Sequence, residues 1–317
     1  MANNTSATLS ATLFKQYWHE KFLTELRSNL TFKELGLMGK IPGGTGEIVH
    51  WISMADMSIH TTEASQGTDP TAYTLSGGDK TATLAPYNDA ITVSRHLAKV
   101  WISGSMDEVL DKLARHAAYK IDRVIRDTNL VASGIAAYVA ALTARASIAQ
   151  SSVCAVDVAD FRKARNKLER ANVETHTDGF YVAICHPDVA YDIMGDTNWQ
   201  DVVKYSSADF ARIVKGEIGN IHKMKFIQTT ECWNSAVGSW NVAQSASATV
   251  YQNYILGNEA YGVSEIEDVD IIVKDPAPAS SVNGYSTAGY YFAFATRQLE
   301  ASATIRLEGA SSLNDYS

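Results

Sequence analysis

The stretch "SMDEVLDKLARHAAYKIDRVIRDTNLVA", residues 105–132, carries the clearest periodic pattern in the chain. Val109, Leu110, Leu113, Ala117, Ile121, Val124, Ile125 and Thr128 recur at spacings of three and four, which puts them on one face of an α-helix. Ser105 or Asp107 can cap its start, and acids in the first turn suit the helix dipole. At 1.5 Å per residue such a helix runs roughly 40 Å, which makes it a strut.

The segments before the strut cannot fold alone. Residues 1–12 are small and polar and read as a mobile arm; Phe14, Trp18, Phe22, Leu23 and Leu26 then mark the apolar face of a short docking helix. Glycines and Pro42 end it, and a strand-like run covers Ile48 to Met54. Residues 56–92 are rich in Thr, Ser, Gly and Ala, with turn signals at Gln66-Gly67, Asp69-Pro70 and Gly77-Gly78. With few large apolar side chains, this stretch has no core of its own. An isolated hairpin is marginal in water, so it is expected to lean on something else, such as another subunit.

After the strut, helix and strand alternate over residues 157–286. "VDVADFRKARNKLERANV" and "DVAYDIMG" read as helices; "GFYVAICH", "KMKFIQTTE" and "TVYQNYILG" read as strands. In "EASATIRLEG", Ala301, Ala303, Ile305 and Leu307 alternate with Ser302, Thr304, Arg306 and Glu308, which predicts a strand with one buried face. Residues 157–286 read as an α/β or α+β unit.

Composition removes several functions. The 317 residues are 46% hydrophobic, enough for a sizeable core and about two compact units. A net charge of -8 argues against a broad phosphate-gripping face. No run approaches the roughly 20 apolar residues that span a bilayer, and the polar N-terminus lacks a secretory pattern. Cys154, Cys185 and Cys232 have no metal or redox spacing and are expected as reduced thiols.

The best enzyme candidate is "HPDVAYDIMGDTNWQDV", residues 186–202. Asp188, Asp192 and Asp196 recur every four residues and, with His186, could hold a hard cation for a metal-dependent hydrolase. Against this, Val189, Ala190, Ile193 and Met194 form a competing apolar face, Pro187 suits a first helical turn, and Asp188 suits the helix N-terminus. We read the segment as a helix start with a wet acidic face. "IPGGTGE" lacks the Lys-Ser/Thr of a phosphate loop, the eight histidines are dispersed, and no nucleophile elbow is present. No catalytic, cofactor-binding or metal residues are expected, and the chain reads as an assembly subunit.

The layout of arm, extended loop, long helix, α/β unit and returning strands resembles the HK97-like major capsid fold of tailed phages, and within it the phage N4-type major capsid protein family. The resemblance is carried by "LTFKELG", "KIDRVIRDTNL", "GFYVAICHPDVAYDIMGDTNWQDV", "GEIGNIHKMKFIQTT", "ILGNEAYGV" and "ATRQLEASATIRLE", which span nearly the whole chain. It implies an N-arm and first strand over residues 1–54, an E-loop over 55–94 and a spine helix over 104–133. A peripheral domain would take 95–156 and 263–317, and an axial domain 157–262. It implies pentamers and hexamers closing into an icosahedral shell around DNA, with scaffold, decoration and portal proteins as further partners, in a virion assembled in the bacterial cytoplasm. Expected subunit contacts are Trp18, Phe22, Gln66, Gly67, Asp69, Pro70, Tyr73, Lys80 and Trp199, the last packing within its domain or toward a neighbour. Some family members crosslink through Lys and Asn; no crosslink is expected from Lys80. Another virion structural module is the remaining alternative.

Overall fold

The computed structural model describes residues 30–42, 46–54, 61, 67, 69, 74, 76–94, 96–97, 106–131, 135–149, 153–197, 199, 217–235, 249–274 and 284–313. The strut is α1, Met106–Asn129. It buries Val109, Leu110, Leu113, Ala117, Ile121 and Ile125 as the apolar spacing predicts; Val124 is half-buried, and Thr128 is exposed. Two polar residues, Asp122 and Asn129, are also buried, at 1% and 0% exposure.

α1 lies on a four-stranded sheet ordered β1-β10-β11-β4, formed by β1 (Leu37–Lys40), β10 (Tyr261–Lys274), β11 (Tyr285–Gln298) and β4 (Ala85–Ser94). Tyr290, Phe292 and Phe294 recur at two-residue spacing on β11 and are all buried, as one pleated face requires. The Tyr87 ring of β4 sits 5.5 Å from that of Phe292 and 5.2 Å from that of Phe294. Asn129 fastens the helix end, donating from Nδ2 to Thr296 Oγ1 at 2.6 Å.

A six-stranded sheet is ordered β5-β12-β9-β6-β8-β7. Its strands are β5 (Ile135–Tyr138), β12 (Thr304–Gly309), β9 (Tyr251–Leu256), β6 (Tyr181–Cys185), β8 (Met224–Gln228) and β7 (Glu217–Ile221). On one face Val182, Ile184, Tyr254 and Leu256 join the α1 core. On the other, Ala183, Cys185, Ile255, Ile305 and Leu307 meet α2 (Val158–Arg170) and α3 (Pro187–Gly195) through Phe161, Leu168, Val189 and Ile193. Both faces are covered, so β6 is buried at all five positions, each large apolar side chain contributing about 1.5–3 kcal/mol. A separate two-stranded hairpin joins β2 (Ile48–Met54) to β3 (Gly77–Thr83).

Both larger sheets join strands from distant parts of the chain. β4, counted with the 55–94 loop, is a body strand paired along its length with β11. β5 pairs with β12, and β12 with β9, so both belong to the six-stranded sheet. The expectation of a one-sided β12 is corrected: Thr304 and Glu308, assigned to a wet face, are both 0% exposed. The Glu308 carboxylate is held by Arg145, whose Nε and Nη2 donate to its two oxygens at 2.5 Å each, while Arg306 Nε lies 2.7 Å away.

Candidate assembly surfaces

Within the 186–202 segment, Pro187–Gly195 form α3. His186 caps it, its Nδ1 accepting from the Asp188 N–H at 3.3 Å, and Pro187 occupies the first turn. Each described carboxylate has a structural partner. Asp188 Oδ2 accepts from the Tyr251 hydroxyl at 2.6 Å, and Asp196 from the Val158 N–H at 3.3 Å. Asp192 is more than the wet face expected: it accepts from Ser311 Oγ and the Ser312 N–H, both at 2.8 Å, and from the Ser312 hydroxyl. It therefore ties the chain after β12 to α3. Among the described residues no three of His, Cys, Asp and Glu gather to hold a metal. Burial lowers the pKa of His186, and it pushes the Cys185 thiol up to about 12, which suppresses thiolate chemistry near neutrality. Asp192→Ala should cost about 1–3 kcal/mol in urea unfolding, because Ser311 and Ser312 lose their shared acceptor, and should leave magnesium titration calorimetry as flat as in the wild type.

Trp199 turns inward. It is 7% exposed, its ring stands edge-on to Phe226 at 5.3 Å, and a β-carbon on Gly219 would lie 3.2 Å from it. Gly67, with φ of +82°, and Asp69 are exposed, as is Lys80 on β3. Trp18, Phe22, Gln66, Pro70, Tyr73 and Asp201 lie outside the described residues.

The surface that stands out is the β2–β3 hairpin. Its strands pair from Ile48↔Thr83 to Met54↔Gly77. Alternation puts Ile48, Ile52 and Met54 on one face, and they are 59%, 81% and 76% exposed. Trp51 points the other way, toward the body. The "IVHWISM" run carried the signal for this row, but its exposure depends on tertiary placement. At its base the Leu84 N–H donates to Glu47 O at 2.8 Å. Beyond the base, Trp51, Ile52 and Lys80 overhang an open groove of about 710 Å³, whose far wall includes Glu174, Glu259 and Glu300.

A helical strut across one sheet, a second sheet beside it and a projecting hairpin make up a fold found in viral shells. The capsid of Ralstonia phage GP4 superposes with a TM-score of 0.70 at 12% identity, covering 91% of this chain and 93% of that one. The capsid of cyanophage P-SCSP1u gives 0.64 at 13% identity, covering 89% of each chain. A virus-like particle from Pyrococcus furiosus gives 0.54 at 8% identity, covering 93% of this chain and 99% of that one. The fold is thus the HK97-like capsid fold. Residues 78–307 match the phage capsid protein family, and the chain belongs to it. It is a structural capsid protein, a component of the virion shell. No curated protein matches the chain.

Proposed function

We propose that copies of this chain assemble as pentamers and hexamers into an icosahedral shell around phage DNA, each hairpin lying on the adjacent copy. The observation that carries this reading is the outward row Ile48, Ile52 and Met54 on a two-stranded hairpin. Such a hairpin is marginal in water, and a row of apolar side chains this exposed calls for a cover. Repetition by symmetry turns modest contacts of this kind into a closed shell.

In this reading the hairpin with the residues between its strands is the E-loop, and Gln66, Gly67, Asp69, Pro70, Tyr73 and Lys80 belong to its contact set. Trp18 and Phe22 belong to an N-arm contact. α1 is the spine helix, its four-stranded sheet the peripheral unit and the six-stranded sheet the axial unit. The finer kinship is with N4-type capsid proteins. The net charge of -8 suits a wall that encloses DNA without gripping it. Scaffold, decoration and portal proteins complete the partners, assembly takes place in the host cytoplasm, and the chain has no catalytic role.

The test replaces residues 49–82 by a short Gly-Ser turn, which keeps the Glu47 to Leu84 bond at the hairpin base. The wild type should give shells, tubes or capsomers in negative stain. The variant should sediment as a monomer, unfold cooperatively and give none of these. Shells of normal yield from the variant would refute the proposal.

A further inference from the structure

The hairpin meets the body at a glycine. Gly262 lies near the start of β10, paired on both sides, with Leu37 of β1 and Arg297 of β11. A β-carbon built there would lie 2.7 Å from both Cε2 and Nε1 of Trp51 and 3.0 Å from Cζ2. No side chain other than hydrogen leaves room for the indole. A glycine inside a paired strand weakens it and commonly marks a close approach by another group; here the approaching group is the Trp51 ring.

Leverage gives this contact a role beyond packing. Trp51 sits near the middle of β2, and the strand runs on past it through Ile52 and Met54, the exposed apolar positions. At 3.3 Å per residue the described strand ends about 10 Å beyond the ring. On that stretch the hairpin overhangs the open groove. A change in tilt at Trp51 therefore moves the outward row relative to the body, and with it the angle that a contacting neighbour adopts.

We infer that Trp51, seated on Gly262, is a positioning residue that sets the direction in which the β2–β3 hairpin leaves the subunit, and through it the curvature of the assembled shell. The inference rests on the reading of the hairpin as an arm between subunits. The seat belongs to the free subunit and exists before any neighbour arrives. In a closed symmetric assembly a small error in one repeated contact accumulates until closure fails.

The experiment compares Trp51→Ala, Trp51→Phe, Gly262→Val and the double variant Trp51→Ala/Gly262→Val with the wild type and the hairpin-replaced chain. Unassembled subunits are followed by thermal unfolding, assembled material by negative stain and sedimentation. Trp51→Ala and Gly262→Val should melt within about 3 °C of the wild type. Their yield of closed shells should fall roughly tenfold, with open, tubular or mixed-diameter particles in their place. Trp51→Phe, which keeps a flat ring over the glycine, should restore uniform shells. The double variant should be no worse than Trp51→Ala, because the two changes remove one contact. If Gly262→Val fails to fold, Trp51→Ala decides alone. Normal shells from Trp51→Ala, while hairpin replacement abolishes assembly, would overturn the seat and leave the arm reading intact. A larger loss of melting temperature in Trp51→Ala would mark the ring as ordinary core and overturn it too. Shells from the hairpin-replaced chain would instead remove the reading on which the inference rests.

Discussion

Glu308→Ala should destabilise the unassembled subunit by about 3–5 kcal/mol, and Arg145→Met by less. Glu308 is fully buried on β12 and is the carboxylate shared by two cations: Arg145, 8% exposed, and Arg306, whose side chain is 12% exposed. Removing the carboxylate leaves both guanidinium groups with no carboxylate between them. Removing Arg145 leaves Glu308 with Arg306 at 2.7 Å and an amide N–H from Gln252 at 3.2 Å, so a partner charge survives. Glu308 raises the pKa of Arg145 through its hydrogen bonds, and the Arg145 guanidinium lies 4.9 Å from the Trp233 ring centre. Because Arg145→Met keeps most of the side-chain volume and Glu308→Ala does not, Glu308→Gln separates this account from packing loss: it keeps the volume, removes the charge and should still cost more than Arg145→Met. Urea unfolding of the unassembled subunit at neutral pH measures each. A Glu308→Ala cost below about 1 kcal/mol, or below that of Arg145→Met, contradicts the account.

The same strand shows where a single sequence stops being informative. Alternation in residues 301–308 correctly implied a strand, but a period of two cannot say whether the second face meets water. That depends on what packs over it: Glu308 meets Arg145 and Gln252, which lie 163 and 56 positions earlier. The pairing of β4 was hidden for the same reason. β4 follows the hairpin directly in sequence, but its partner is β11, about 200 residues on. The elements legible from sequence were those with local causes: the apolar stripe of α1, the His-Pro-Asp start of α3 and the all-apolar β6. For residues 56–92 the sequence offered only a negative argument, too little apolar mass for a core of their own. Trp51 and Gly262 carried no sign of each other, since a tryptophan in one strand and a glycine in another become a seat only when tertiary structure stacks them.

Asp122 was equally silent, one acid among many charges on α1, and it should make the free subunit respond to pH. Its Oδ1 accepts from the Phe32 and Lys33 N–H groups at 3.2 and 3.3 Å, and its Oδ2 from the Thr31 N–H at 2.7 Å. It thereby clamps the segment before β1 onto the strut. Phe32 is fully buried there, and its carbonyl accepts from the Tyr261 hydroxyl at 2.5 Å. Burial pushes the Asp122 carboxyl from 3.8 up to about 7; the three N–H donors pull it down, and the Glu231 carboxylate, held by Arg123, adds to the rise. A pKa raised on folding means that the folded chain holds a proton which the unfolded chain has released. The stability tied to that proton is complete below the unfolded value and is lost as pH climbs through about 7. At about 1.4 kcal/mol per pH unit, the whole interval corresponds to about 4 kcal/mol. Lowered carboxylates such as Asp89 and Glu169 act in the opposite sense, so the clean measurement is a difference. In Asp122→Asn an amide oxygen placed at Oδ1 can still accept from Phe32 and Lys33 but cannot titrate. The stability of the wild type minus that of Asp122→Asn should therefore fall by about 2–3 kcal/mol between pH 5 and pH 8. Amide exchange at Thr31, Phe32 and Lys33 should quicken over the same interval beyond the intrinsic effect of pH. A difference that is flat, or that grows with pH, would show that the three N–H donors outweigh burial and keep the carboxylate ionised throughout.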